Sequence, residues 1–146
     1  MHKIITPLAG CDVFILNERN ELLLIQRADN GLWALPGGYQ ELGETPQECA
    51  IRECLEETGF NVEILDLIGV FSSLKYELKN YPVKDIEICH LFFLGKVISG
   101  KEMTSVESKT ISWFPENALP QLSDGHEIRI NYGWKYIKDN KKAYFE

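Results

Sequence analysis

One short segment carries signals for both ends of an α-helix. Thr45 stands where an N-cap residue is expected, Pro46 takes the first helical position, and Glu48 completes a T-x-x-E capping box. Gly59 supplies the C-terminal stop. The pattern predicts a helix from about Pro46 to Thr58, around which the rest of the chain must be arranged.

The predicted helix has an apolar face and an acidic face. A turn of about 100° per residue defines a core face, which comprises Ala50, Ile51, Cys54, Leu55 and Thr58. Glu53, Glu56 and Glu57 are expected together on the opposite face. Carboxylates at this spacing repel one another, and clusters of oxygen ligands select hard divalent cations such as Mg²⁺ or Mn²⁺. Taken alone, three glutamates at this spacing are more often part of a solvated acidic surface than of a metal site.

Acidic residues are concentrated in the same part of the chain. Residues 38–60 hold six glutamates and one arginine, which give −5 of the net charge of −7. This balance argues against non-specific adhesion to DNA, RNA or an anionic membrane. We therefore expect neither a nucleic-acid partner nor a membrane partner.

The spacing within this segment is specific. From Gly38 the chain reads GYQELGETPQECAIRECLEETGF, which sets Glu44, Arg52-Glu53, Glu56-Glu57 and Gly59-Phe60 at fixed intervals. This arrangement resembles the signature of the Nudix hydrolase family. One position departs, because Cys54 replaces the usual bulky aliphatic residue, but cysteine is still a small buried hydrophobe. Three further segments are similar to the family, namely WALPGG from Trp33, LLLIQR from Leu22 and WFP from Trp113.

The resemblance implies an α/β fold, an α/β/α sandwich with a central mixed β-sheet. It implies hydrolysis of a nucleoside diphosphate linked to a moiety X, by water attack on the pyrophosphate, with Mg²⁺ or Mn²⁺ as the cofactor. Nucleoside triphosphates, dinucleoside polyphosphates and nucleotide sugars are the small-molecule substrates considered. Two alternatives stay open: a catalytically idle Nudix-fold sensor of a nucleotide or metabolite, and a metal-binding interaction module without nucleotide affinity.

The resemblance also assigns roles to residues of the segment and its lead-in. The metal ligands it implies are the three carboxylates and nearby backbone carbonyls, at Glu53, Glu56, Glu57, Gly37 and Gly38. Arg52 is grouped with the catalytic glutamates, and Glu44 is expected to help it orient their carboxylates.

The proton acceptor is less constrained by the resemblance. It is Glu53 or a carboxylate from a later loop or strand, for which the candidates are Asp85, Glu87 and Glu107. Glu87 ranks first and joins the expected metal ligands, since it stands at the start of a predicted strand where it could complete the cluster.

Three residues outside the segment are assigned to the substrate: Arg27, Trp33 and Tyr76. Tyr76 lies where relatives that cleave dinucleoside polyphosphates often carry a tyrosine, although an incidental aromatic is the weightier interpretation. Tyr81 and Trp113, like Trp33 and Tyr76, could stack on a base or pack in the core. The proline typical of ADP-ribose hydrolases near this position is absent, which counts modestly against ADP-ribose.

The remaining elements follow from apolar patterning. Residues 11–16 and 22–25 flank a turn-like stretch and predict a hairpin. Residues 62–71, 86–98 and 110–114 predict strands. The C-terminal segment fits both a strand and a helix; a helix is preferred, with Asp124 and Glu127 resembling its start.

Length and composition limit the number of domains and the class of protein. Residues 1–146 are expected to form one domain, with 45% apolar residues and no run long enough for a membrane-spanning helix. The four cysteines lack zinc-site spacing and are expected to be reduced and buried, which favours a cytoplasmic location. His90 and His126 are assigned to the fold or the surface. C-terminal aromatic residues are compatible with a homodimer.

Overall fold

The computed structural model describes residues 3–80, 85–139 and 142–146. The strands run in the order β1 (Leu8–Ile15), β2 (Leu22–Arg27), β3 (Trp33–Ala34), β4 (Gly37–Tyr39), β5 (Phe60–Ser72), β6 (Ile88–Gly100), β7 (Ser108–Phe114) and β8 (Tyr144–Phe145). The helices are α1 (Pro46–Thr58) and α2 (His126–Lys138), with short 3-10 turns at Ser73–Lys75 and Glu116–Ala118. The predicted strands in the middle of the chain and the preferred C-terminal helix are thus confirmed.

The strands form two sheets. The larger has the order β4-β1-β6-β5-β8 and is mixed, because β1 runs parallel to β6 and antiparallel to β4. The smaller sheet has the order β3-β2-β7 and is antiparallel. The expected mixed sheet is confirmed.

The predicted hairpin of β1 and β2 is wrong. The two strands belong to different sheets and share a single antiparallel bridge, between Leu16 and Leu22. The turn signal is real, since the Asn17 side chain accepts hydrogen bonds from the backbone N–H groups of Arg19 and Glu21. Each strand lies between two other strands of its own sheet, so the turn at Asn17 carries the chain from one sheet to the other.

Side chains of β1 alternate between two hydrophobic clusters. Cys11, Val13 and Ile15 face a cluster that includes the buried residues of α1. Phe14 faces the other cluster, where its ring makes an edge contact with Trp134 of α2 at 5.2 Å between centroids. The two helices therefore cover opposite faces of the mixed sheet, as the α/β/α sandwich requires.

Helix α1 has the predicted ends, but one face was misassigned. The capping box between Thr45 and Glu48 is present, and Gly59 ends the helix in the left-handed conformation. Leu55, expected in the core, is 47% exposed, whereas Glu57, expected opposite the core, is only 5% exposed. The helix geometry accounts for both, because position 57 lies about 20° from Ala50 whereas position 55 lies about 140° away.

Two smaller expectations also need correction. Helix α2 begins after Gly125, not at a side-chain cap on Asp124, whose carboxylate instead accepts a hydrogen bond from the backbone N–H of Asn80. Cys89 is exposed, unlike the other three cysteines, because it lies near the start of β6 outside both clusters. No helix in the described part of the chain has the length and apolar content needed to cross a membrane.

Candidate active site

A cavity of about 640 Å³ lies where the two sheets and both helices approach one another. Its lining includes residues 37–41 and residues of β1, β2, α1, β6 and α2. This volume is within the range of small-molecule sites in proteins. Two of the predicted glutamates, Glu53 and Glu57, line it together with Glu107.

The Glu57 carboxylate is buried at the wall of this cavity. Its Oε1 accepts a hydrogen bond of 2.8 Å from the backbone N–H of Gly37. Burial raises the pKa of Glu57 well above the ordinary glutamate value, and the charges of Glu53, Glu107 and Asp12 raise it further. Glu57 therefore needs either a proton or a cation.

The Glu53 carboxylate is fixed by Arg52 and by the close approach of the backbone. Its Oε1 accepts a hydrogen bond of 2.9 Å from Arg52 Nη1. Burial raises the pKa of Glu53, with Arg52 opposing and Glu56 and Glu107 adding to the shift. A Cβ at position 38 would lie 2.4 Å from the Glu53 carboxyl carbon, so any residue other than glycine there would displace this carboxylate.

Arg52 ties the helix to the preceding loop. Its Nε and Nη2 donate to the two carboxylate oxygens of Glu44 at 2.9 and 2.7 Å, and Nη2 also donates to the Tyr39 carbonyl at 3.2 Å. This bidentate contact lowers the pKa of Glu44 to about 2. Arg52 Nη1 reaches Glu56 at 3.3 Å as well as Glu53. The Arg52 guanidinium therefore fixes the carboxylates of Glu44, Glu53 and Glu56 relative to one another.

The other predicted ligands are placed differently. Glu56 lies outside the cavity lining, with its exposed carboxylate on Arg52. Glu87 is exposed just before β6 and does not line the cavity, because Ile88 and His90 are the strand residues that point into it. Asp85 is also exposed, and Glu107 lies at the cavity's rim. Of the later carboxylates considered, the structure brings only Glu107 to Glu53 and Glu57.

The predicted substrate residues divide in the same way. Arg27 and Tyr76 line the cavity. Trp33 does not, since its ring packs edge-on against Phe114 at 4.8 Å between centroids. Trp113 packs beside Phe60, and Tyr81 lies outside the described residues.

Sequence reasoning missed a second polar group in the cavity, formed by Asp12, His90, His126 and Arg129. Arg129 is 2% exposed, and its Nη2 lies 2.8 Å from Asp12 Oδ2. A signal was present, because Asp12 interrupts an apolar strand pattern and Arg129 stands between two isoleucines. Charged residues within buried periodic segments are candidates for a functional site.

The side chains at the cavity supply only part of the ligand set that a divalent cation requires. Among the described residues, no group of three His, Cys, Asp or Glu side chains is gathered closely enough to hold a metal ion alone. Mg²⁺, however, is commonly bound through one or two carboxylates plus water and substrate phosphate. Glu53 and Glu57 provide two carboxylates in one cavity, and burial raises the pKa of both. The residues present therefore fit a cation that substrate helps to bind.

A protein-family model described as the NUDIX domain matches residues 6–132. The chain belongs to the Nudix family. This confirms the predicted family and enzyme class, a hydrolase of phosphoric anhydrides. Nudix proteins generally use divalent metal ions and act on small-molecule nucleotides.

Relatives of this Nudix chain carry names with different substrates. It is 38% identical over 112 residues to a putative 8-oxo-dGTP diphosphatase from Bacillus subtilis, covering 76% of this chain and 68% of the relative. It is 35% identical over 126 residues to an ADP-ribose pyrophosphatase from Methanocaldococcus jannaschii, covering 83% and 71%. These relatives therefore agree on the family but differ in the moiety X of the substrate.

A solved structure of a UDP-X diphosphatase has the same fold. The TM-score is 0.86 at 24% sequence identity, and the match covers 99% of this Nudix chain and 70% of the other. The expected Nudix-type α/β/α architecture is confirmed by this match.

Proposed function

We propose that this Nudix chain hydrolyses a nucleoside diphosphate linked to a moiety X, in one domain and with Mg²⁺ or Mn²⁺ as the cofactor. The observation that carries the proposal is the burial of Glu57 beside Glu53 in one cavity. Burial disfavours ionisation of both carboxylates, and Arg52 offsets this only in part and only for Glu53. A cation that also binds phosphate oxygens resolves this and brings an anionic substrate to an acidic protein.

In this proposal Glu53 and Glu57 hold the cation, which when bound stabilises charge on the diphosphate and lowers the pKa of a water molecule. Glu57 keeps its position through the Gly37 N–H, and Glu53 keeps its position through Arg52. Arg52 and Glu44 are positioning residues. Glu56, on the outer side of Arg52, contributes charge to the cluster and becomes a ligand only if its side chain turns inward.

The proton acceptor is Glu53 or Glu107. A general base works best when its pKa lies near the operating pH, and the pKa of Glu53 is already raised by burial. Glu107 lies at the rim, in the same cavity. Glu87 is not proposed for this role, since its side chain lies away from the cavity lining.

The substrate is proposed to be a small nucleotide in the cytoplasm. A nucleoside triphosphate, a dinucleoside polyphosphate and a nucleotide sugar all contain the diphosphate that a cation held by Glu53 and Glu57 would bind. Arg27 and Tyr76 are proposed to contact the substrate, because both residues line the cavity. Trp33 is left out on account of its packing against Phe114.

The test is a panel of these nucleotides and ADP-ribose, incubated with Mg²⁺, Mn²⁺ or EDTA, with phosphate measured after a coupled phosphatase. We expect metal-dependent turnover of one class. Glu107→Gln tests the base: it should lose at least about 10²-fold in kcat if Glu107 is the proton acceptor and keep most of its rate if Glu53 is, whereas a Glu53 variant would also lose a cation ligand. Absence of turnover, together with thermal stabilisation by a nucleotide, would favour the idle sensor instead.

A further inference from the structure

The segment between β6 and β7, residues 101–107, is attached to the end of helix α1. The last carbonyl groups of a helix have no partners within it. The Thr58 carbonyl accepts a hydrogen bond of 2.8 Å from the backbone N–H of Met103. The Glu57 carbonyl accepts one of 2.9 Å from the hydroxyl of Ser108, the first residue of β7. The helix end beside the cavity is therefore joined to the segment that carries Glu107.

Two serines flank Glu107 and form a closed hydrogen-bond network. The Ser105 Oγ accepts from the backbone N–H groups of Glu107 and Ser108, each at 3.1 Å. The same oxygen lies 3.0 Å from Ser108 Oγ, which also accepts from the backbone N–H of Ser105 at 3.3 Å. We call Ser105 and Ser108 the serine pair.

The hydroxyl protons of the serine pair have defined directions. A carbonyl oxygen can only accept, so the Ser108 proton lies in the hydrogen bond to Glu57. The proton between the two serine oxygens is therefore donated by Ser105. Each hydroxyl then donates once and accepts twice, which is its full capacity. The network is satisfied within the chain, and its hydrogen bonds have one arrangement.

The backbone of Glu107 is held on both sides. Its N–H donates to Ser105 Oγ, and its carbonyl accepts a hydrogen bond of 3.0 Å from the backbone N–H of Ala28, which lines the cavity as Glu107 does. Val106, the preceding residue, is 95% exposed, so packing of its side chain does not fix the segment. Hydrogen bonds therefore hold an otherwise exposed glutamate at the cavity.

The two serines divide the work of attachment between them. Ser108 is fully buried, and its hydroxyl alone satisfies the end of α1. Ser105 is half-buried, and it is the residue that bonds the Glu107 N–H. Capping of the helix requires only Ser108, so Ser105 is explained by the placement of Glu107. Glu57 is the common point, since its carboxylate lines the cavity while its backbone carbonyl holds Ser108.

We propose that the serine pair positions Glu107 for hydrolysis of the diphosphate, by fixing its place relative to Glu57. Ser105 and Ser108 act through Glu107, since neither serine lines the cavity. The inference rests on the proposed function. Of the two candidate proton acceptors it favours Glu107, because this is the one whose backbone the serine pair holds.

Ser105→Ala tests the positioning. The variant removes the acceptor for the Glu107 N–H and leaves the hydrogen bond from Ser108 to Glu57 in place. At saturating Mg²⁺, on a nucleotide that turns over, we expect kcat to fall about tenfold with KM nearly unchanged, because a small displacement of a reacting group slows the reaction without weakening binding. Ser105→Thr keeps the hydroxyl and should restore most of the rate. A wild-type kcat in Ser105→Ala would overturn the proposal.

Thr58→Val is the matched control. Thr58 lies at the same end of α1 and is fully buried, and its hydroxyl donates to the Cys54 carbonyl at 2.6 Å and accepts from the Phe60 N–H at 3.1 Å. This variant should lower the melting temperature and leave kcat unchanged, since Thr58 does not bond Glu107. An equal loss of kcat in Thr58→Val and Ser105→Ala would mean a general loosening of the helix end, and would overturn the proposal.

A double-mutant cycle in kcat tests whether Ser105 acts through Glu107. Adding Ser105→Ala to Glu107→Gln should cause little further loss, because the carboxylate that the serine positions is already gone. Independent effects of the two substitutions would overturn the proposal. A near-normal rate in Glu107→Gln alone would do the same.

Amide hydrogen exchange gives a readout that does not depend on turnover. We expect the Glu107 N–H to exchange about fivefold faster in Ser105→Ala than in the wild type, as the loss of one hydrogen bond implies, and to be unchanged in Thr58→Val. An unprotected Glu107 N–H in the wild type would overturn the proposal even if Ser105→Ala did not fold.

The outcomes separate this inference from the proposed function. A wild type that cleaves no nucleotide of the panel would overturn the hydrolase and, with it, the role of the serine pair. An active wild type beside an equally active Ser105→Ala would overturn the role of the serine pair alone.

Discussion

Glu57 is the residue on which the account of the site depends most. Its carboxylate is 5% exposed, has one backbone N–H as its hydrogen-bond donor among the described residues, and faces other carboxylates. A charge buried in this way destabilises the folded chain unless it is protonated or neutralised. Metal binding and stability should therefore be linked through this one side chain.

Glu57→Gln is expected to keep the fold and lose the response to metal. Glutamine has nearly the same volume and can still accept the hydrogen bond from Gly37 N–H, but it carries no charge. Without metal the melting temperature should equal or exceed that of the wild type, and Mg²⁺ should raise only the wild-type value. Thermal unfolding with and without Mg²⁺ checks this. Glu63→Gln, at an exposed position on β5, is the control.

Glu44 provides a prediction of pH dependence. Its pKa in the folded chain is lowered to about 2 by Arg52, whereas an unfolded glutamate titrates near its ordinary value of about 4.3. A lowered folded pKa contributes stability above the unfolded pKa, and that contribution is lost as pH falls through the folded pKa. The advantage of wild type over Glu44→Gln should hold at pH 6 and shrink steadily from about pH 5 towards pH 2. Denaturant unfolding at several pH values measures it, and a constant difference would show that Glu44 is not held ionised by Arg52.

At the scale of elements, helix α1 aligns the site because both of its ends are fixed. The Thr45 hydroxyl accepts from the backbone N–H of Glu48 at 3.2 Å, and the Glu48 carboxylate accepts from the backbone N–H of Thr45 at 2.8 Å. The other end stops at Gly59, where a Cβ would lie 2.2 Å from the Lys101 carbonyl oxygen. The helix therefore presents Glu53 and Glu57 at a fixed rotation.

Loss of the cap should weaken α1 without changing its chemistry. Thr45→Ala removes the acceptor for the Glu48 N–H, and we expect the free energy of unfolding to fall by about 1 kcal/mol. Thr45→Ser keeps the hydroxyl and should keep most of the stability. Chemical denaturation measures both variants. Equal stability of Thr45→Ala and Thr45→Ser would show that the capping hydroxyl contributes nothing.

Local signals explain which elements were predictable. The bounds of α1 follow from Thr45, Pro46 and Gly59, which act within one turn of the helix. The pairing partners of β1 and β2 cannot be predicted in this way, because strand pairing joins residues far apart in sequence. The turn at Asn17 is compatible both with a hairpin and with a chain that passes from one sheet to the other. The burial of Glu57 lay within reach of the helix geometry but conflicted with the expectation that charged residues face solvent.

At the scale of the whole molecule, one ion pair joins the mixed sheet to α2. Asp12 lies in the middle of β1 and Arg129 in the first turns of α2, and both are buried. Gly133 of the same helix packs so closely on Phe14 that a Cβ there would lie 2.5 Å from the ring. These two contacts hold α2 over the sheet together with the hydrogen bond that the Tyr136 hydroxyl donates to Asp66 Oδ2 at 2.7 Å.

Removing one partner of this ion pair should lower the stability of the fold more than removing both. Arg129→Met leaves the Asp12 carboxylate buried without its cation, and about 3–5 kcal/mol of stability should be lost. Adding Asp12→Asn should recover part of that loss, because the stranded charge is then gone. A double-mutant cycle in denaturant measures the coupling, and additive effects would contradict a direct pair.

The pairing of Asp12 with Arg129 also shows where sequence reasoning ends. The signature identifies residues 38–60 because their spacing is local and specific, and the resemblance extends to the fold. The buried group of Asp12, His90, His126 and Arg129 is assembled from β1, β6 and α2, and nothing in the spacing of these residues along the chain brings them together.

The most direct test of the account is the rate of diphosphate cleavage as a function of Mg²⁺ concentration, in wild type and Glu57→Gln side by side, on whichever nucleotide of the panel turns over. We predict saturable dependence on Mg²⁺ in the wild type. In the variant the rate should fall at least about 10²-fold, because charge stabilisation at the reacting centre typically contributes that much. Wild-type turnover that persists in EDTA, or a variant with near-normal rates, would contradict the claim that Glu57 holds the catalytic cation.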